Sequence, residues 1–464
     1  MTFISPMNKM ISDSLDFSQS RSKAQGVTAT RRIDRPRGQA AYKPSNKIVF
    51  ETPTISQSFM DLRNFYMKFT IISDGLAKCD PSCYCLFESI KIETGNGIVV
   101  DELKNANVWY GLSSQLDDNY ADGYDRVIGH GGDPLLPYGG MNTSTSKTFC
   151  LPFTHGLFKA DKLIPLFSRY GLRFTFQLAR VEQGLMSQVN TTNGDYVISD
   201  VQFCYPLVSA DADTFASLHS GIDAYNIDYS PLFSHSISVL AGSVAETHIV
   251  PARYSSVNSV TLIMRRNDDA TAQEQMKYAH RCAARLESIQ YKIGGSSYPY
   301  QPLTRTAGAD GGANQLARVS SEMYLESMSA YKTINSGFYK QAGNAFLIRY
   351  ASRSANDGDM RAISGAYEFE GVAQSQAITS DVSISSDTAE QVGSFFVCVP
   401  MAAYKSPEIH RAIYSGVNTV GGDVYCELQF GTGGVPANMV FDYYTHYSAL
   451  LRMDKQTGEF EVVN

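Results

Sequence analysis

Apolar and polar positions alternate with a period of two along much of this chain, in short runs bounded by glycine, proline and asparagine. That is the pattern of half-buried β-strands. In the first half it predicts strands at 47–54, 64–72, 86–93, 98–100, 148–153, 171–179 and 196–208, with Thr94-Gly95-Asn96-Gly97 supplying hairpin turn chemistry between the third and fourth. In the second half it predicts strands at 237–250, 257–265, 286–293, 345–350, 367–372, 394–399, 423–430 and 441–451. The period lengthens to that of a helix at three places. At 105–116, Val108, Leu112 and Leu116 recur every four residues; at 271–285, Thr271 and Glu274 have the spacing of a capping box; at 322–332, Tyr324, Met328 and Tyr331 share a face. Glycine-rich loops fall at 117–146 and 307–314.

The halves repeat one order. Glu88-Ser89-Ile90 and Glu287-Ser288-Ile289 each precede a glycine turn and then an amphipathic helix, and FTFQLA followed by VISDVQFCYPLV is answered by CELQFG followed by VFDYYTHYSALL. Two copies of a β-sandwich of eight short strands, with helices and long loops inserted at one end, follow the grammar of a jelly roll. The fold class expected is all-β: tandem jelly-roll barrels at 48–218 and 232–464, a linker at 219–231, short inserted helices, and a disordered basic arm at 1–47.

Composition narrows this further. With 36 Gly, 28 Tyr and 24 Phe among 464 residues, and 18% charged, the chain is neither a coiled coil, a collagen nor a disordered polymer. No apolar run reaches the length of a membrane span, and the start, MTFISPMNKM, lacks a signal-peptide pattern, so the expectation is a soluble protein made inside the cell. Its net charge of −7 is uneven: residues 1–47 hold nine basic and three acidic side chains, a net of +6 that leaves −13 elsewhere. From residue 18 to 46 there is little apolar periodicity to offset the entropy of ordering. Arg21, Lys23, Arg31, Arg32, Arg35, Arg37 and Lys43 are therefore candidate contacts to nucleic acid or an anionic membrane, with a solubilising tail as the equal alternative.

Candidate chemistry is sparse. Of eight cysteines only Cys79, Cys83 and Cys85 cluster, and no second pair completes a zinc spacing, so no metal is expected. Cys204, Cys398 and Cys426 sit in apolar strands, where a thiol behaves as a small hydrophobe. The histidines are scattered. Gly129-His130-Gly131-Gly132 has no G-x-S-x-G elbow to serve, and Gly431-Thr432-Gly433-Gly434 lacks the lysine of a phosphate-binding loop. Asp101-Glu102, Asp117-Asp118 and Asp268-Asp269 stand at turns and helix boundaries, where capping explains them. No catalytic residue and no cofactor is expected. Two carboxylates of a glycosidase need not be near in sequence, so a carbohydrate-binding or glycoside-cleaving double β-sandwich stays open as an alternative.

The segments LESIQYKIGGSSYPYQPL at 286–303, DLRNFYMKFTI at 61–71, LFESIKIETGNGIVVDEL at 86–103 and DVQFCYPLV at 200–208 together resemble the double jelly-roll major capsid proteins of the polinton-like virus, adintovirus and virophage group. The resemblance implies a structural protein of the virion: two upright barrels per chain, a homotrimeric, pseudo-hexagonal capsomer, self-assembly into an icosahedral capsid, and minor capsid or penton proteins as further partners. It implies that the arm faces packaged nucleic acid or an inner membrane, and that the 117–146 and 307–314 loops crown the barrels. Aromatic residues enriched at protein interfaces make Phe65, Tyr66, Tyr298, Tyr300, Tyr443 and Tyr444 candidate subunit contacts. The capsid protein of a small single-stranded virus, for which a basic arm is normal, is the alternative within the structural class.

Overall fold

A computed structural model describes residues 26–73, 77–79, 83–117, 146–160, 162–187, 195–267, 283–304, 321–334, 395–402 and 416–463. The helix expected at 271–285 except its last three residues, the strands at 345–350 and 367–372, nearly all of the two glycine-rich loops, and Arg21 and Lys23 lie outside them; Ala283, Ala284 and Arg285 are not helical, the last two taking φ +50° and +59°.

The described strands form two units with one topology. In the first, Leu172–Leu178 lies between Lys47–Glu51 and Phe87–Thr94, and Val99–Lys104 completes that sheet. The facing sheet is built around the long strand Tyr196–Ala210. One edge of it pairs with Tyr66–Ser73, which in turn pairs with Lys147–Pro152; the other pairs with Val27–Asp34 and Ala41–Tyr42. In the second unit, Val424–Phe430 lies between Ala245–Val250 and Leu286–Ile293, with Ser296–Thr304 outside. Its facing sheet runs Leu232–Val239, Met439–Tyr447, Val257–Arg266, Val397–Pro400. The four-strand orders coincide, and the first facing sheet adds Ser58–Met60, paired with Tyr196–Ala210, and Ile164–Pro165 beyond it.

Alternation explains the packing. Along Leu172–Leu178 every second residue is buried; Phe174 packs beside Phe50 of the neighbouring strand and against Phe65, Phe176 meets Phe203 of the facing sheet, and Phe50 and Phe203 stack across the core at 4.6 Å between centroids. A shift of register by one residue would turn these rings to solvent, so the alternation itself fixes the pairing. Each unit inserts a helix after its hairpin, Ala106–Asp117 in the first and Ser321–Ile334 in the second. The helices meet through Trp109 and Tyr331, with ring centroids 6.2 Å apart.

Three expectations are corrected. Residues 27–47 are not a disordered arm. Val27–Asp34 pairs with Tyr196–Ala210 over its whole length, and Ala41–Tyr42 continues the pairing, so this stretch is the opening strand of the first unit. It was missed because only Tyr42 of these strand residues is buried, which leaves no apolar alternation to detect. The 219–231 linker is largely structured: helix Ala212–Ser220, capped by Asp211 accepting from the Thr214 amide at 2.8 Å, runs into strand Ala224–Tyr229, which pairs with Ala449–Asp454. The strands expected at 237–250 and 441–451 are each broken, the first at a turn where Gly242 takes φ +86° and the second at Ser448.

Candidate functional site

No cluster of catalytic type dominates the described residues, and none among them gathers three or more His, Cys, Asp or Glu side chains in a metal-holding arrangement. The concentrated polar chemistry lies where one unit meets the other. Asn105, at φ +49° between the hairpin and the helix Ala106–Asp117, donates from Nδ2 to Ser236 Oγ at 2.8 Å and to Asp442 Oδ1 at 3.1 Å. Ser236 Oγ donates to the same carboxylate oxygen at 2.5 Å, and Arg265 pairs with Asp442 Oδ2 at 2.5 Å. Asp442 is 1% exposed, and its charge is met by three donors, as a buried carboxylate requires. The Lys104 amide donates to Ser234 Oγ at 2.9 Å, and Tyr444 donates to the Asn105 carbonyl at 2.9 Å while its ring lies 5.1 Å from that of Trp109.

A second part of the junction surrounds Asp101. This side chain is 2% exposed; Oδ2 accepts from the Leu157 amide at 3.2 Å, and Oδ1 has no hydrogen-bond partner. Burial pushes its pKa up to about 7. Gly156 takes φ +51°, and a Cβ there would fall 1.6 Å from Asp101 Oδ2, so glycine is required both by the backbone and by the carboxyl. Beside it His155 Nδ1 lies 2.6 Å from the Tyr110 hydroxyl, and burial drops its pKa to about 3. From the second unit, Tyr229 donates to the Val100 carbonyl at 2.7 Å, and Gly156 bridges to Ser230. The C-terminal hairpin closes the seam: the Arg169 amide donates to the Gly458 carbonyl at 2.9 Å, and Arg169 pairs with Glu459 at 3.2 Å.

The expected contact residues divide sharply. Phe65 is fully buried against Phe158, Phe174 and Phe203, and Tyr443 is fully buried with its hydroxyl 2.6 Å from His248 Nδ1; both belong to the cores. Tyr444 serves the junction within the chain. Tyr66 and Tyr298 are half-buried, and Tyr300 is 89% exposed. Of the basic residues, Arg31 donates to Cys204 Sγ at 3.6 Å and stands 5.6 Å from the centre of the Tyr66 ring, Arg32 pairs with Asp34 at 2.9 Å, and Arg37 pairs with Glu51 at 2.5 Å. Arg35 and Lys43 are exposed. Residues 1–25 carry Lys9, Arg21 and Lys23 against Asp13 and Asp16, a net of only +1, so most of the basic excess sits on the ordered opening strand and the residues just after it. Arg31 also edges a groove of about 570 Å³ with Arg63, Asn64, Tyr66, Pro152 and Pro206. Of the clustered cysteines, Cys83 and Cys85 are buried, and the Cys85 thiol donates to the Gly184 carbonyl at 2.8 Å.

A scan against protein-family models and a search of curated proteins found no match. Solved structures match over nearly the whole length. VP54 of PBCV-1, fitted into a reconstruction of the virophage Sputnik, aligns with a TM-score of 0.60 at 9% identity, covering 97% of this chain and 99% of that one. The chain is a double jelly roll. The Faustovirus major capsid protein aligns at 0.55 with 9% identity over 93% and 92% of the two chains, and the Sputnik virophage structure at 0.54 with 9% identity over 97% and 92%. In double jelly-roll terms, the two units are the two barrels, and the Asn105 and Asp101 clusters are the seam between them.

Proposed function

We propose that this protein is a viral major capsid protein, a structural subunit and not an enzyme, whose homotrimers form pseudo-hexagonal capsomers in an icosahedral virion capsid. The observation that carries the reading is the side-by-side duplication, with two barrels of one topology locked by a buried polar seam and the whole chain matching double jelly-roll capsid folds end to end. Two barrels joined by a buried polar seam have little to offer a small substrate and much to offer a lattice of copies. Its partners are first its own copies, then minor capsid or penton proteins. Packaged nucleic acid or an inner membrane would be met by Arg35 and Lys43 with the basic residues of 1–25, since Arg31, Arg32 and Arg37 are engaged on the barrel.

The test is the mass and shape of the purified chain. Light scattering is expected to give three times 51.0 kDa, and negative-stain electron microscopy six-lobed particles. A monomer at every concentration, or retention on a polysaccharide column with hydrolysis lost on a single carboxylate change, would overturn the reading in favour of the carbohydrate-directed alternative.

A further inference from the structure

The seam is fastened at two places of opposite character along one stretch of chain. Asp101 and Asn105 are four residues apart, so about 13 Å of extended backbone separates the two clusters. At the Asn105 end, the buried Asp442 carboxylate is met by Arg265, Asn105 and Ser236, and its charge is compensated where it stands. At the Asp101 end the arrangement is the reverse. Oδ2 accepts one amide at 3.2 Å, Oδ1 accepts nothing, and the side chain is buried.

The surroundings of Asp101 suit a carboxylic acid and not a carboxylate. The wall from the second barrel is aromatic: Tyr229 is buried and already commits its hydroxyl to the Val100 carbonyl, and Tyr254 and Tyr447 stack with ring centroids 3.5 Å apart. All three phenols interact electrostatically with Asp101, and burial keeps each of them neutral by pushing its pKa up. From its own barrel, Glu102 adds a like charge, and the loop that carries Leu157 contributes His155, neutral because burial drops its pKa, with Lys159 acting on that ring. The amides of Leu157 and Glu102 favour the anion, but burial outweighs them, and among the described residues no cation acts on the carboxyl. Gly156 seals the site: its backbone bridges to Ser230 of the second barrel, and a side chain there would strike Oδ2. A neutral acid can stay in such a place, whereas an uncompensated anion must find water.

We infer that Asp101 is a proton-operated latch between the barrels: neutral, it lies closed under Tyr229 and the Gly156–Ser230 bridge, and on giving its proton to a base in solvent it drives that side of the seam apart to gain water, while the Asn105–Asp442–Arg265 cluster holds as the pivot. Arg169 and Glu459, which also tie the barrels, are solvated, and such a pair offers little resistance. Because burial pushes the Asp101 pKa up to about 7, the latch is closed in acidic medium and opens as the pH rises through neutrality. Above that midpoint each pH unit multiplies the opening constant by about ten, the slope of one proton. The latch rests on the two-barrel fold and not on the capsid-subunit reading, so either can fail without the other.

Hydrogen exchange of the full chain from pH 5.5 to 9 tests it, read by mass spectrometry on peptides covering 153–160 and 224–230 and corrected for the intrinsic pH dependence of amide exchange. In the wild type, protection of these segments is expected to fall at least tenfold between pH 6 and pH 8.5 with the slope of one proton, while 172–178 in the first core and 440–444 at the pivot keep theirs. Asp101→Asn, which keeps the shape and cannot ionise, is expected to show no such fall. Tyr229→Phe keeps the carboxyl and removes one fastening, so it is expected to lose protection in both segments at every pH and to retain the slope, which can be read even where the asparagine variant does not fold. Wild-type protection that stays flat, a slope that persists in Asp101→Asn, or a Tyr229→Phe chain without the slope would overturn the latch. Loss of protection at 172–178 in step with the seam would overturn it as well, since the whole barrel would then be unfolding.

Discussion

In the first barrel, the layer running across the sheet from Lys47–Glu51 is Phe50, Phe174 and Ile92; in the second, the same register holds His248, Cys426 and Tyr291. Facing rings complete the first layer, with Phe203 stacked on Phe50, and a hydrogen-bonding pair completes the second, with the Tyr443 hydroxyl 2.6 Å from His248 Nδ1. Burial lowers the His248 pKa and pushes the Cys426 thiol up to about 12, so both are neutral inside the barrel. The lesson is that alternation alone specifies the sheet order, while the identity of the inward residues decides what holds it: apolar burial in one barrel, satisfied polar groups within an apolar setting in the other.

The comparison can be broken at graded cost. Deleting residues 1–46 removes the opening strand and leaves one edge of Tyr196–Ala210 unpaired, so the first barrel is expected to lose cooperative folding altogether, seen as insolubility or a missing thermal transition; removing residues 1–25 takes away no strand of the described sheets. Next in size, Phe174→Ala is expected to cost about 3–5 kcal/mol in denaturant unfolding, as large-to-small changes in a packed aromatic core do. The matching Cys426→Ala removes a single sulfur and is expected to cost about 1 kcal/mol. At the seam, Asp442→Ala removes the carboxylate that Arg265, 13% exposed, pairs with at 2.5 Å and is expected to cost about 3–5 kcal/mol, whereas a double change that replaces both with apolar residues costs far less.

Acidity sharpens the contrast. Asp101, with its native pKa raised to about 7 by burial, holds its proton more firmly in the folded chain than unfolded. It therefore contributes stability that is complete below pH about 4 and lost as the pH rises through 7, worth at most about 4 kcal/mol. His155 has the opposite sign: lowered to about 3, it contributes above pH about 6.5 and loses that contribution on acidification. Asp101→Asn is expected to melt higher than wild type at pH 8 and to match it at pH 4, in a thermal scan across that range. The smallest effect expected is for Arg169→Ala, whose partner Glu459 is solvated; it should shift unfolding by less than about 1 kcal/mol and less still in high salt.

Much of the architecture was legible because the strand at 172–178 alternates throughout, those at 87–94 and 286–293 alternate from their fourth residue on, and the helix at 106–117 has a clean apolar stripe. The opening strand was not, because Arg31, Arg32 and their neighbours lie along one exposed edge, where burial imposes no pattern and a run of arginine and threonine looks like a tail. Charge counting also located the basic excess in the wrong kind of structure: Arg31 leans on Tyr66, and Arg37 is neutralised by Glu51. Among the aromatic candidates, sequence could not tell Tyr443 from Tyr444, adjacent residues on opposite faces of one strand, the first bonded to His248 and the second reaching Asn105 of the other barrel. The seam itself was invisible, since Asn105 and Asp442 are separated by more than three hundred positions.

The C-terminal hairpin sets an order of events during synthesis. Every described strand of the first barrel lies between Val27 and Ala210, so that barrel can close while the ribosome is still making the second. The strand Ala224–Tyr229, by contrast, waits for Ala449–Asp454, and Arg169 waits for Gly458 and Glu459. A nascent chain thus holds one finished barrel and one unfastened seam until its last stretch emerges, which withholds the two-barrel geometry from prematurely terminated products.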